Sequence, residues 1–147
     1  MNALPSLAQP IHPRDDYSSL QAPCVMNRIL IVDDHDLSRH AIQAVLEFHG
    51  YHCQEMEDGM AALTWLDHNQ VDLVITDNTM PVLEGLELLE HLRTTTKFHV
   101  LPVIILSGNL TEAEKAKAYS HEAFAILDKP CDFSELRTTI ARALKRI

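Results

Sequence analysis

At 147 residues, 46% of them hydrophobic, the chain has enough apolar material for one buried core and hardly for two, so a single domain is expected and a multi-domain enzyme is set aside. A formal net charge of -9 lacks the basic footprint of a nucleic-acid binder, and no apolar run nears the ~18 residues of a membrane span. Cys24, Cys53 and Cys131 are widely spaced and form no Cys-x-x-Cys pair, and the amino terminus lacks a secretion signal, which together imply free thiols in a reducing, cytoplasmic compartment.

Residues 1–25 carry Pro5, Pro10, Pro13 and Pro23 without any regular apolar period, so they read as an extension or linker, with the compact domain over 26–147. Ile29 to Val32 is a continuous apolar run, the pattern of a strand buried on both faces, and it stops on Asp33 and Asp34. Leu37, Ala41, Val45 and Phe48, with Ile42 and Leu46, recur at helical spacing, and Gly50 stands where a left-handed helix cap belongs. Tyr51 to Met56 alternates in polarity, as a strand at a sheet edge does. Asp58-Gly59 turns the chain into a second helix bearing Ala62, Leu63, Trp65 and Leu66, with Trp65 read as a packing residue.

Leu73 to Ile75 form the core of a third strand that ends on Asp77, and Pro81 marks its exit loop. Leu86, Leu88, Leu89 and Leu92 define a third helix, and Pro102 to Leu106 a fourth strand that ends on Ser107-Gly108. Thr111-Glu112-Ala113-Glu114 has the form of a capping box and opens an Ala-rich fourth helix reaching about His121. Phe124 to Leu127 read as a fifth strand, broken by Asp128-Lys129-Pro130. Phe133, Leu136, Ile140, Leu144 and Ile147 set out the last helix, with Arg142, Lys145 and Arg146 suited to the dipole at its carboxyl end. Five strand-helix alternations imply a doubly wound α/β fold, a five-stranded parallel sheet with helices on both faces.

Asp33 and Asp34, Asp77, Ser107 and Lys129 then stand after four different strands, all at the carboxyl edge, where ligands of open α/β sheets bind. Each alone has an ordinary reading: a solvated acidic loop, a helix cap, a turn, a helix-entry turn. Together they form a chemical set. Clustered carboxylates repel unless a cation neutralises them, and Mg²⁺ (or Mn²⁺) takes a few oxygens while keeping room for a phosphoryl group. With Lys129 and Ser107 on that group, Asp77 is a candidate in-line nucleophile, and the small Gly108 leaves space for it.

Ile29 to Asp34, Asp77-x-x-Met80-Pro81 with Gly85 beyond, Ser107-Gly108 and Lys129-Pro130 resemble the signature of the response-regulator receiver domain of two-component signalling, over about Asn27 to Ile147. The resemblance implies a flavodoxin-like (βα)5 fold with strand order 2-1-3-4-5, an order that general accounts of doubly wound folds already give for a chemotaxis receiver. It implies that Asp77 accepts a phosphoryl group from a sensor histidine kinase or histidine phosphotransfer protein. Asp33, Asp34, Asp77 and the main-chain carbonyl of Thr79 would hold Mg²⁺, and Ser107 and Lys129 would bind phosphoryl oxygens. Output to a downstream protein, or a homodimer, would use the face of the fourth helix, fifth strand and fifth helix. The family usually carries Tyr or Phe three residues before the lysine, and Ile126 stands there instead, with Tyr119 and Phe124 nearby.

His35 follows Asp34 and is read as a loop or partner-facing residue rather than a ligand. His40, His49, His52, His68, His91, His99 and His121 are read as polar surface positions, and Cys131 as a buried, inert thiol. With the sequence ending at Ile147, no output domain is expected after the last helix. Two rival functions are kept. An aspartyl-nucleophile phosphatase would commonly carry a second Asp two residues after the nucleophile, where Thr79 stands; a binding module of the same fold would never be phosphorylated on Asp77.

Overall fold

The apolar runs become five parallel strands in a single sheet, and the computed structural model describes residues 27–145. The expected extension over 1–25, Cys24, Met26, Arg146 and Ile147 lie outside those residues. The strands are β1 (Arg28–Val32), β2 (His52–Met56), β3 (Leu73–Asp77), β4 (Val103–Ser107) and β5 (Ala125–Asp128), in the order β2-β1-β3-β4-β5. Between and after them run α1 (Asp36–Phe48), α2 (Gly59–Leu66), α3 (Gly85–Arg93), α4 (Glu112–Ser120) and α5 (Phe133–Lys145). This is the doubly wound parallel α/β architecture expected from the alternation, with the strand order that the resemblance implies.

Successive residues of a strand face opposite sides of the sheet, so a strand covered on both sides must be apolar throughout. β3 and β4 are buried at every residue, while β2 and β5, at the two edges, are not. On one face Ile29, Ile31, Ile75 and Ile104 pack with Ile42 and Leu46 of α1 and Leu136 and Ile140 of α5. On the other, Leu30, Val32, Val74 and Ile105 pack with Leu66 of α2, Leu88, Leu89 and Leu92 of α3, and Ala118 of α4. Trp65 packs against this second core, as expected, with the Arg28 guanidinium 5.9 Å from its ring centroid.

Two local signals act as read. Gly50 follows α1 with φ 96°, a left-handed conformation that costs glycine nothing. At α4 the Thr111 hydroxyl accepts from the Glu114 amide at 3.1 Å and the Glu114 carboxylate accepts from the Thr111 amide at 2.9 Å. At the β5 edge, the Tyr119 hydroxyl of α4 accepts from the Ile126 amide at 3.2 Å.

The apolar face expected of α1 needs correction. Ile42 and Leu46 are buried, but Leu37 is 87% and Phe48 84% exposed. Leu37 and Ile42 are five residues apart, about 140° around the helix, so the pattern combines two stripes and only one meets the sheet. The buried stripe begins instead with a charged residue, Arg39. Among the described residues no helix is long and apolar enough to cross a membrane.

Candidate functional site

The register of the parallel sheet brings the ends of β1, β3, β4 and β5 side by side: Val32 pairs with Thr76, Asp77 with Leu106, and Ser107 with Asp128. Asp33 and Asp34 follow β1, Asp77 closes β3, Ser107 closes β4, and Lys129 follows β5. Asp33 is 2% and Asp77 4% exposed, and Ser107 is equally buried, whereas Asp34 reaches solvent. Lys129 Nζ lies 2.8 Å from Asp77 Oδ1 and 3.8 Å from Asp33 Oδ2. One ligand atom each from Asp33, Asp34, His35 and Asp77 fall within 4.8 Å of one another.

The electrostatics of this cluster are unbalanced. Burial pushes the Asp77 carboxyl above the usual carboxylate range; the Lys129 ammonium opposes that shift, and Asp33 and Asp34 add to it. Burial disfavours the charged form of Lys129, but its hydrogen bond to Asp77 and the charges of Asp77, Asp33 and Asp34 outweigh that and raise its pKa. One ammonium therefore faces three carboxylates. Asp33 Oδ1 accepts from the His35 amide at 2.9 Å, while the buried Oδ2 has no hydrogen-bond partner. A buried carboxylate oxygen without a hydrogen-bond partner, beside a second buried carboxylate and with one ammonium for three carboxylates, is the environment a hard divalent cation satisfies, so the residues present fit Mg²⁺.

Ser107 is tied into the same edge. Its Oγ accepts from the Asn109 amide at 3.2 Å and donates to Asn109 Oδ1 at 3.4 Å, and its carbonyl accepts from the Lys129 amide at 3.1 Å. The Lys129-Pro130 peptide is cis. Thr79 is exposed two residues beyond Asp77, with its hydroxyl 3.5 Å from Asn109 Oδ1. A Cβ on Gly108 would meet nothing nearer than Lys129 Cβ at 3.9 Å, so packing does not require glycine there.

Gly85 is different. A Cβ at that position would lie 2.5 Å from the Asp77 carbonyl oxygen and 3.0 Å from Asn78 Cα. Glycine lets the start of α3 press against the backbone at the end of β3, at Asp77 and Asn78. The Gly85 amide then donates to the Asn78 carbonyl at 3.0 Å, and the Leu86 amide to Asn78 Oδ1 at 2.9 Å.

Three supporting residues were not singled out from sequence: Arg39, Asn78 and Asn109. Arg39, buried on α1, donates to the Asp33 carbonyl at 2.7 Å, to Asp36 at 2.8 Å and to Glu55 of β2 at 2.8 Å. It thus fixes the backbone at the acidic pair. The available signal was its spacing: 39, 42 and 46 continue the buried stripe of α1, and a charge there needs partners. Among the described residues, neither thiol belongs to the acidic cluster. Burial pushes Cys53 up to about 12, and half-buried Cys131 is raised by burial and by Glu135 and Asp132, so neither is a thiolate at neutral pH. Of the histidines read as surface residues, His40 Nδ1 lies 2.8 Å from Glu55, and half-buried His121 lies 3.4 Å from Glu90.

The sequence pattern of the response regulator receiver domain matches residues 29–141. The chain belongs to this family. The receiver is 30% identical over 146 residues to the sensor histidine kinase RcsC of Escherichia coli K12, covering 99% of this chain and 14% of RcsC. It is 34% identical over 119 residues to the response regulator MprA of Mycobacterium sp. strain KMS, covering 81% of this chain and 51% of MprA. The chain thus spans at most about half the length of these relatives. The structure of the chemotaxis response regulator CheY4 of Vibrio cholerae superposes with a TM-score of 0.76 at 28% identity, over 82% of this chain and all of that one. The fold, strand order and family expected from the sequence therefore hold for this receiver domain of two-component signalling.

Proposed function

We propose that this receiver takes a phosphoryl group onto Asp77 from a phosphohistidine of a partner histidine kinase or histidine phosphotransfer protein, in the cytoplasm. The observation carrying this reading is the Lys129 ammonium held 2.8 Å from a buried Asp77 carboxylate at the end of a central strand. An Asp77 carboxylate oxygen forms the new O–P bond in line with the P–N bond of the donor. As the P–N bond breaks, its electron pair leaves with the imidazole, and the product is an acyl phosphate on Asp77. Lys129 neutralises a phosphoryl oxygen, and the Ser107 hydroxyl donates to one. Asp33, Asp34, Asp77 and the main-chain carbonyl of Thr79 would hold Mg²⁺ (or Mn²⁺), which when bound neutralises charge shared between carboxylates and phosphoryl oxygens.

The signal then passes to a downstream protein, or to a second copy, through the α4, β5 and α5 face. Re-pairing of Ser107 and Lys129 with the phosphoryl group, rather than an aromatic rotamer at Ile126, drives this change. The reading is tested by incubating wild type and Asp77→Asn with Mg²⁺ and a small-molecule phosphodonor, followed by intact-mass measurement. A single adduct absent from the variant is expected. Rapid multiple turnover of phosphomonoesters would establish a phosphatase instead, and absence of any adduct a binding module.

A further inference from the structure

We infer that His35 is a nitrogen donor of the acidic site, and that it biases the site toward a transition-metal ion such as Mn²⁺ over Mg²⁺. The inference rests on the proposed metal site and deepens it by assigning one more donor and a selectivity. Four observations carry it.

His35 Nδ1 lies 3.5 Å from Asp33 Oδ1 and 3.4 Å from Asp34 Oδ1. Two adjacent ligands of an octahedral ion with bonds of ~2.1 Å are about 3.0 Å apart, so the ring nitrogen stands close to a neighbouring coordination position. The ring is also part of the set of four ligand atoms, with Asp33, Asp34 and Asp77, that lie within 4.8 Å of one another. Buried Asp33 Oδ2 has no hydrogen-bond partner and only the Lys129 ammonium 3.8 Å away, so this cluster still lacks a close cation.

The fold itself makes little use of the ring. His35 occupies the residue before α1, where a side-chain acceptor would cap free helix amides, yet its side chain makes no capping bond. The contact that orders the loop is made by its backbone amide to Asp33 Oδ1 at 2.9 Å. The side chain is 71% exposed, free to turn onto an ion without disturbing the core. Carboxylate and carbonyl donors suit Mg²⁺ and Mn²⁺ alike, whereas an imidazole nitrogen is a donor for first-row transition ions and a poor one for Mg²⁺, so one such donor raises Mn²⁺ relative to Mg²⁺. The bland alternative, a ring resting against two carboxylates through charge alone, predicts a preference among divalent ions that His35→Ala leaves unchanged.

The test uses the full chain with Mn²⁺ and Mg²⁺ as probes. Pulsed electron paramagnetic resonance of wild type holding one equivalent of Mn²⁺ is expected to show a directly coordinated imidazole nitrogen, which His35→Ala lacks. Competition between the ions is expected to show the Mn²⁺ preference falling about tenfold in His35→Ala, the lower end of the range for losing a supporting group at a metal site. His35→Glu is expected to lose the nitrogen signal while binding Mg²⁺ more tightly than His35→Ala. A nitrogen signal absent from wild type, or unchanged in His35→Ala, overturns the inference while leaving the acidic site standing. If Asp33→Asn binds both ions as wild type does, the underlying metal site is wrong and the inference falls with it.

Discussion

Replacing Gly85 with alanine adds one methyl group against the backbone that presents Asp77. The new Cβ would lie 2.5 Å from the Asp77 carbonyl oxygen, and ordinary contact begins at 3.4 Å, so α3 and the loop must separate by 0.9 Å. Neither neighbour is a flexible side-chain tip. The separation stretches the Gly85 amide bond to Asn78, now 3.0 Å, and the Leu86 amide bond to Asn78 Oδ1, now 2.9 Å. Overpacking of this kind costs about 1–3 kcal/mol, and weakening two hydrogen bonds adds about 1 kcal/mol. Alanine's better helix propensity returns at most about 1 kcal/mol. The net expectation is a loss of about 2 kcal/mol, or about 6 °C in Tm for a chain of this size. Thermal and urea unfolding measure the loss directly, and the phosphorylation rate with a small donor should fall alongside because Asp77 is displaced. Gly108→Ala, whose Cβ would meet Lys129 Cβ at 3.9 Å, should be near neutral in stability. A Gly85→Ala protein as stable as wild type would refute the steric reasoning, since it would place Gly85 among ordinary helix glycines.

Two further outcomes are expected. Asp77 has a raised pKa in the folded protein, chiefly through burial, so its stabilising share is complete below the unfolded carboxylate value of about 3.9 and is lost as pH rises through the folded value. Metal-free Asp77→Asn should therefore be more stable than wild type at neutral pH, with the gap closing toward pH ~4; adding Mg²⁺ should stabilise wild type more than the variant. A gap that stays constant with pH by denaturant titration would sink this account. Arg39→Ala should cost about 3 kcal/mol by urea unfolding, because Glu55 and the Asp33 carbonyl lose a buried charged partner, and the residual Glu55 pairing with His40 keeps the cost at the low end. A loss under about 1 kcal/mol would mean that Arg39 does not fix the acidic loop.

How far the site could be read from sequence follows from what each residue depends on. Asp33, Asp34, Asp77, Ser107 and Lys129 were legible because each sits at the end of an apolar run, and the order of runs determines which ends share an edge. The capping box at Thr111 and the cap at Gly50 are local, and both appear as read. What eluded the sequence is set by distance across the fold. Leu37 and Phe48 fit the same helical period as Ile42, and only the position of the sheet shows which stripe is covered. Arg39 joins Asp33 to Glu55 across two strands and a helix, so its role depends on three elements meeting. Gly85 was noticed within the motif, yet its reason is a close approach of backbone to backbone that no spacing reveals.

The Tyr119 hydroxyl on the Ile126 amide has a consequence for assembly. β5 is the last strand on its side of the sheet, and an open edge offers its amides to any extended peptide that can lie alongside. A phenol occupying one of those donors blocks strand addition at the middle of a strand only four residues long. Partners that use this side of the receiver must therefore recognise side chains rather than extend the sheet, unless they first pull Tyr119 away.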